Sequence, residues 1–249
     1  MTTLLLGLLA GGATGLALGA LGGGGSVLAV PALIYLLDFS PAAAATASLL
    51  VVGVTSATAL GAHARAGTVR WRGGALFAAA GLVPAAIGGA VSGWLPSWLL
   101  TGAFAVIAAL AALRMLRPSA SVRDEDVPVR SWQVVRAGAG LGAVTGVLGV
   151  GGGFLAVPAL VNVVGLRMRA AVGTSLLVIT VNSLVALVAR AGTDARIDWA
   201  AVAPFAAAAV LGAWDGKRLA GKVSGDRLRQ LFAWALLAVA ALMLVDAVV

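Results

Sequence analysis

The sequence predicts an all-α polytopic membrane protein made of two related halves. Of its 249 residues, 61% are apolar and only 10% are charged, whereas soluble domains carry about a quarter charged residues. The charges are clumped, and the apolar stretches between them supply eight to ten segments near the roughly 20 residues that a membrane-spanning helix needs. The chain has no cysteine and one histidine, so we expect no disulfide, catalytic thiol, metal site or cofactor.

A 15-residue stretch recurs at a constant offset of 127 residues. Gly19–Leu33 and Gly146–Leu160 are identical at 11 of the 15 positions, where chance gives roughly two or three in a chain so rich in Ala and Gly. The match continues without a gap, because Ser48–Val51 recurs as Ser175–Val178. The chain is therefore predicted to contain a duplicated membrane unit.

The duplication predicts two membrane repeats, 1–116 and 132–249, joined by a cytoplasmic linker over 117–131 that holds two prolines and an acidic cluster. The short second segment of each repeat either crosses the membrane steeply or turns back within it. Each repeat contains five apolar segments, at 4–22, 26–37, 42–62, 73–94 and 97–116 in the first and at 133–150, 153–165, 170–189, 199–214 and 230–248 in the second.

The basic residues distinguish these two arrangements. If all segments cross, the repeats have inverted topology, and the loops at 63–72, 114–136, 167–169 and 215–229 share one face that holds 15 of the 17 cations. If the short segments turn back, the repeats are parallel and the split falls to 10 against 7. Because cytoplasmic loops carry excess Lys and Arg, we predict inverted repeats with both termini external. The net charge of +8 is then a topology signal, and no nucleic-acid partner is expected.

Glycine-rich stretches before the two short segments form the first candidate site. Gly22–Ser26 and Gly149–Gly153 are each followed by a proline, and runs of glycine do not hold a regular helix well. A break followed by a new helix presents backbone N–H groups and the positive end of the helix dipole, which favour an anion. In an inverted repeat the two breaks are expected to face each other near the midplane. The alternative is that these glycines only permit close helix packing.

The third segment of each repeat carries a stripe of polar side chains. Ser48 and Ser56 are eight residues apart, close to two helical turns, and so are their counterparts Ser175 and Ser183. Hydroxyl and amide donors on such a stripe suit an oxyanion, although Ser and Thr also bond their own backbone. His63 ends its segment and is expected at the membrane interface. The candidate substrate-binding residues are Gly23, Gly24, Gly25, Ser26, Ser48, Ser56, Gly151, Gly152, Gly153, Thr174, Ser175 and Asn182.

Two paired motifs, Gly22–Leu33 and Gly149–Leu160, with Thr174-Ser175-Leu176 downstream, resemble the TauE/SafE family of sulfite and organosulfonate exporters. The resemblance covers essentially the whole chain. It implies a carrier in the bacterial inner membrane for a small anionic substrate, a sulfur oxyanion or sulfonate such as sulfite or a sulfoacetate-like anion. The first half departs from the pattern at Ala47, which stands where the second half has Thr174.

Three functions remain open at this level. Export of the anion by a secondary carrier is the leading expectation. A passive small-anion channel and an uptake carrier are the alternatives, since both can use the same donors. An enzyme is not expected, because a catalyst needs a nucleophile–base pair or metal ligands within reach, and the apolar segments offer neither.

Single cysteines introduced at Gly67 and Gly221 are expected to be protected from a membrane-impermeant thiol reagent added outside the cell. Both positions lie in loops that the inverted arrangement places in the cytoplasm. A cysteine at Thr193, in the loop predicted to be external, is the positive control. Labelling of Gly67→Cys or Gly221→Cys alone from outside would contradict the topology.

Overall fold

The computed structural model describes residues 2–92, 96–117, 131–148, 153–189 and 198–248, which form ten helices and no strand. The first five helices come from the first sequence half and the last five from the second. In chain order they are α1 (Thr2–Leu21), α2 (Gly24–Leu37), α3 (Pro41–Arg65), α4 (Trp71–Ser92), α5 (Ser97–Leu116), α6 (Ser131–Leu148), α7 (Gly153–Asn162), α8 (Met168–Ala189), α9 (Trp199–Lys222) and α10 (Gly225–Val248).

Local sequence signals set several helix ends. Gly22, directly after α1, has a φ of 70°, a conformation that glycine adopts without the steric strain of a side chain. Ser40 caps α3 by accepting a hydrogen bond from the Ala43 N–H at 3.4 Å. Asp198 caps α9 by accepting one from the Ala200 N–H at 2.9 Å. The boundaries of α1 to α5 therefore follow the predicted segments within a few residues.

Helix α9 departs most from the predicted segments, since it continues to Lys222 rather than ending near residue 214. Asp215, Lys217 and Arg218 end the apolar stretch, but charged side chains do not by themselves end a helix. Asp215 and Arg218 pair on its exposed side at 3.5 Å. The predicted loop at 215–229 is therefore mostly helical, and only Val223 and Ser224 connect α9 to α10.

Many large apolar side chains face outward, although Phe77, Phe205 and Phe232 are buried among the many small residues of the interior. Leu9 and Val188 are 71% and 77% exposed, while the interior contains many alanines together with buried serines and threonines. This distribution suits a hydrocarbon solvent, in which small residues bring helices close together. Among the described residues, four helical stretches are long and apolar enough to cross a membrane: Leu4–Leu21, Ala43–Arg65, Met168–Val188 and Trp199–Lys222.

Helix α1 packs backbone to backbone against α9 through three glycines spaced four residues apart. A β-carbon on Gly15 would lie 1.9 Å from the carbonyl oxygen of Ala209. On Gly11 and Gly19, on either side of Gly15, it would lie 2.3 and 2.0 Å from α9 carbonyl oxygens. Any side chain at these positions would force the two helices apart.

Helices α4 and α6 repeat this arrangement. Gly138, Gly142 and Gly146 follow the α1 glycines by 127 residues, and a β-carbon on Gly142 would lie 2.2 Å from the carbonyl oxygen of Gly81. In both pairs the contacting residue numbers increase together, so the helices run parallel. Each pair joins one helix of the first half to one of the second, so the two halves are interleaved.

Three of the interhelical connections lie together at one end of the molecule. A cavity of about 510 Å³ is lined by residues after α3, α7 and α9, including Arg70, Arg167 and Arg229. Arg169 joins this region to the end of α9, because its Nη2 donates to the carbonyl oxygens of Gly221 at 3.3 Å and of Val223 at 3.2 Å. Basic residues from two connections and from the first turns of α10 therefore meet at one end of the helices.

Gly15→Ala is expected to lower the stability of the protein in detergent, because its β-carbon would overlap the Ala209 carbonyl group. Overpacking of this kind destabilises by about 1–3 kcal/mol. Gly12→Ala is the matched control in the same helix, since a β-carbon there meets no atom within 4 Å and alanine favours a helix. Melting followed by size-exclusion chromatography measures both. Equal melting temperatures for the two variants would show that the α1–α9 contact does not limit stability.

Candidate functional site

Helices α3 and α8 cross at a pair of hydroxyl groups. The Ser56 Oγ lies 3.0 Å from the Thr180 Oγ1, and each also lies within hydrogen-bond distance of a carbonyl oxygen of its own helix, Gly53 at 3.1 Å and Leu176 at 2.7 Å. Three contacts thus share two hydroxyl hydrogens. One of the three contacts therefore lacks a hydrogen at any moment.

The crossing is antiparallel and not fully symmetric. Gly53 of α3 forms a second contact at this crossing: a β-carbon added to Gly53 would lie 3.4 Å from the Ser183 Cβ of α8. Ser56 and Ser183 are equivalent positions of the sequence repeat, as are Gly53 and Thr180. The Ser56–Thr180 contact is thus repeated as Ser183–Gly53, and the second copy lacks one hydroxyl. Residue numbers rise in α3 as they fall in α8 along this contact.

The first glycine-rich break lies directly against α8. A β-carbon on Gly22 would lie 2.5 Å from the Ser175 Oγ, 3.1 Å from a Val157 methyl carbon and 3.3 Å from the Val172 carbonyl oxygen. Gly22 and Gly23 are both buried. Helix α2 begins immediately afterwards, so its first N–H groups arise at a buried break in the backbone.

Two neighbouring side chains of α8 have structural partners. The Ser175 hydroxyl donates to the Val172 carbonyl oxygen at 2.8 Å, and the Thr174 Oγ1 accepts from the Arg70 N–H at 3.1 Å. Thr174 therefore fastens the connection between α3 and α4 to α8. Both side chains are fully buried. Ser175 retains acceptor capacity beside Gly22, because its only hydrogen is already donated.

The structure separates some of the predicted site residues. Ser48 donates to the Ala45 carbonyl oxygen at 2.8 Å and lies about two turns before the crossing in α3. Ser175 lies equally far before it in α8. Because the helices run antiparallel, the two serines lie on opposite sides of the crossing, roughly 20 Å apart along the axes at 1.5 Å per residue. The described hydroxyls form a line rather than one cluster.

The remaining predicted site residues lie in three different helices. Gly24, Gly25 and Ser26 form the first turn of α2. Asn182 is half-buried in α8, directly before the buried Ser183. Gly153 is buried at the start of α7. Gly151 and Gly152 lie outside the described residues, so the expected approach of the second break to the first stays a prediction.

Thr55 is a buried polar residue that was not among the predicted site residues. Its side chain is 1% exposed, and its Oγ1 has no hydrogen-bond partner among the described residues. The sequence carried a signal for it, because Thr55 is the repeat counterpart of Asn182. An unpaired buried hydroxyl destabilises a protein by about 1–3 kcal/mol. This cost makes Thr55 a candidate functional residue.

His63 lies in the last turn of α3 and is buried within the protein, at 6% exposure. Its Nδ1 lies 3.0 Å from the Thr68 Oγ1. The extra turns of α9 reach this end of α3, because Lys217 donates from Nζ to the Ala62 carbonyl oxygen at 2.6 Å. A basic residue there also interacts favourably with the helix C-terminus.

Comparison with known proteins identifies the family. The sequence profile of the family described as "Sulfite exporter TauE/SafE" matches residues 7–243. Two proteins described as "Probable membrane transporter protein", from Xylella fastidiosa strains 9a5c and Temecula1, are each 32% identical over 238 residues, covering 93% of this chain and 91% of the relative. No solved structure matches the chain. The chain therefore belongs to the sulfite exporter TauE/SafE family of membrane transporters.

Proposed function

We propose that the protein is a secondary carrier that exports a small sulfur oxyanion or sulfonate, such as sulfite or a sulfoacetate-like anion, across the bacterial inner membrane. The observation that carries the proposal is the buried break at Gly22, packed against Ser175 of α8. The family supports transport in general, and the break supports an anion as the substrate.

The chemistry of the break favours negative charge. The first N–H groups of α2 and the positive end of its dipole lie at the break. The described Asp38, Asp198, Asp215 and Asp226 are all exposed and lie outside the core. At the break the anion would therefore meet backbone N–H donors rather than fixed negative charge.

Inverted topology of the repeats is part of this proposal. The equivalent helices α3 and α8 cross antiparallel, as inverted repeats require, whereas parallel repeats would be expected to keep them in the same direction. The basic residues gathered after α3, α7 and α9 support a single cytoplasmic end. With that end inside, both termini are external.

The line of hydroxyls along α3 and α8 supports a path through the interior. Ser48, the Ser56–Thr180 pair and Ser175 lie along it in that order. Thr55 adds a buried hydroxyl near the crossing that no described residue satisfies. We infer that the anion is the missing partner of Thr55 during transport, since hydroxyl groups bind oxyanions without holding them irreversibly.

Gly22→Ala is expected to reduce transport at least tenfold while membrane insertion persists. Its β-carbon would overlap the Ser175 Oγ and occupy the space where a ligand approaches the backbone. Gly67→Ala is the matched control, because Gly67 has a φ of 69° against 70° for Gly22 but no atom within 4 Å of its β-carbon. The two variants share backbone strain and differ only in their surroundings. Equal transport rates in proteoliposomes would place the site elsewhere.

Thr55→Val is expected to lower transport without lowering stability. Valine keeps the shape of the side chain and removes a buried hydroxyl that has no described partner, so the melting temperature should stay level or rise. Ser56→Ala is the control, because it removes the bond to Thr180 and should reduce stability by about 1 kcal/mol. Wild-type transport in Thr55→Val would show that this hydroxyl does not meet the substrate.

Efflux of sulfite from loaded proteoliposomes, at equal pH and equal sodium on both sides, tests the proposed function. A negative interior drives an anion outward by about 2.3 kcal/mol per charge for each 100 mV, and no carboxylate in the described core suggests ion coupling. Efflux should saturate, show counterflow and follow an imposed interior-negative potential. Open-channel currents would favour a channel. A strict need for a proton or sodium gradient would show that transport is coupled to that ion rather than driven by the membrane potential and the substrate gradient alone.

A further inference from the structure

A groove of about 630 Å³ lies between α5, α6 and α7. Its floor is apolar and includes Leu110 of α5, Leu141 and Val144 of α6, and Leu155 and Pro158 of α7. None of these helices contributes to the α3–α8 crossing. The groove lies on the side of α7 opposite to Val157, which faces the break at Gly22, so a ligand bound in the groove would not occupy the proposed transport path.

One end of this groove is strongly basic. Arg114, in the last turn of α5, and Arg136, near the start of α6, both line it. The guanidinium carbon of Arg136 lies 4.7 Å from the centre of the Trp132 ring, a cation–π contact that holds the group over the ring. None of the described residues that line the groove is acidic. The two arginines thus face a common space without a carboxylate partner in it.

The duplicated fold does not require these two arginines. At the repeat offset of 127 residues, Leu9 corresponds to Arg136 and Ala241 corresponds to Arg114. In the inverted arrangement these counterparts lie towards the external end, where few Lys and Arg are expected, so the difference between the halves follows the topology. Membrane topology accounts for basic residues at this end of the molecule, but it does not account for two of them at the mouth of one apolar groove.

We propose that the groove binds an anionic phospholipid, with its phosphate between Arg114 and Arg136 and an acyl chain along the apolar floor. Guanidinium groups match the geometry of phosphate oxygens. Basic pockets between membrane helices on the cytoplasmic side recognise anionic headgroups, and tryptophan prefers the headgroup level where Trp132 would lie. A sulfite-sized anion would leave the apolar floor uncovered, which argues for a lipid as the occupant.

Retention of lipid by the purified full-length protein tests the proposal. After exchange into vesicles of equimolar phosphatidylglycerol and phosphatidylcholine, native mass spectrometry should show preferential retention of phosphatidylglycerol. Arg114→Gln/Arg136→Gln should reduce that retention about tenfold or more. Arg65→Gln/Arg72→Gln removes the same charge from other helix ends and should leave it unchanged. Equal loss in both double variants would reduce the effect to net charge and overturn the proposal.

Gly140→Phe tests the acyl-chain part with both arginines present. Gly140 lines the groove, and a β-carbon there meets no atom within 4 Å, so a large side chain can fill the space without a clash at its base. This variant should lose phosphatidylglycerol, whereas Gly102→Phe on α5, also in open space, should keep it. Retention in Gly140→Phe would overturn the proposed acyl-chain site.

Two further arms distinguish other occupants. Excess inorganic phosphate should not displace the lipid, and displacement would show a simple phosphate site. Neutralising Asp124, Glu125 and Asp126 of the linker should leave lipid retention unchanged. A marked rise in retention on neutralisation would show that the linker occupies the groove in the native protein, and it would overturn the proposal.

Discussion

The close contact between helix backbones in the α1–α9 and α4–α6 pairs is the constraint on which the rest of the structure depends. In each pair, a glycine row on one helix lies directly on the carbonyl groups of the other. Both pairs connect one sequence half to the other, so neither half can be moved away without opening both contacts. Such interfaces gain van der Waals contact and helix proximity in a solvent where apolar burial gives little advantage. They leave the shorter α7 and the crossing helices α3 and α8 to contribute much of the remaining interior.

The position of the first break follows from this constraint. Because Gly19 still lies against Ala213, α1 is held to α9 to within two residues of its end. The chain then reverses at Gly22, where α8 leaves no room for a side chain. The backbone groups at the start of α2 are thereby delivered to the interior, a placement that non-helical backbone at membrane depth requires. The close packing of α1 against α9 therefore fixes the position of the break at Gly22.

Periodicity and charge were sufficient to predict the all-helical architecture and most helix boundaries, because each depends on local composition. The length of α9 was not predictable from hydropathy, since charged residues at 215–218 end an apolar stretch without ending a helix. The burial of His63 also depends on tertiary packing, which its position at the end of an apolar segment does not reveal. The spacing of Gly11, Gly15 and Gly19 is visible in the sequence, but the choice of α9 as their partner depends on tertiary packing between distant segments. Thr55 was missed because its repeat counterpart is an amide, so the two positions do not match by residue type.

The unequal crossing of α3 and α8 bears on the balance between conformations. If a carrier of two identical inverted halves exchanged their conformations, its inward-open and outward-open states would have the same free energy. Here one half supplies Thr180 and the other Gly53 at equivalent positions, so the exchange does not return the same set of contacts. A difference of one hydrogen bond, about 1 kcal/mol, corresponds to a roughly fivefold population ratio. In the proposed inverted-repeat carrier the two halves would provide the two access states, and the Thr180–Gly53 difference would be one of the features that make their free energies unequal.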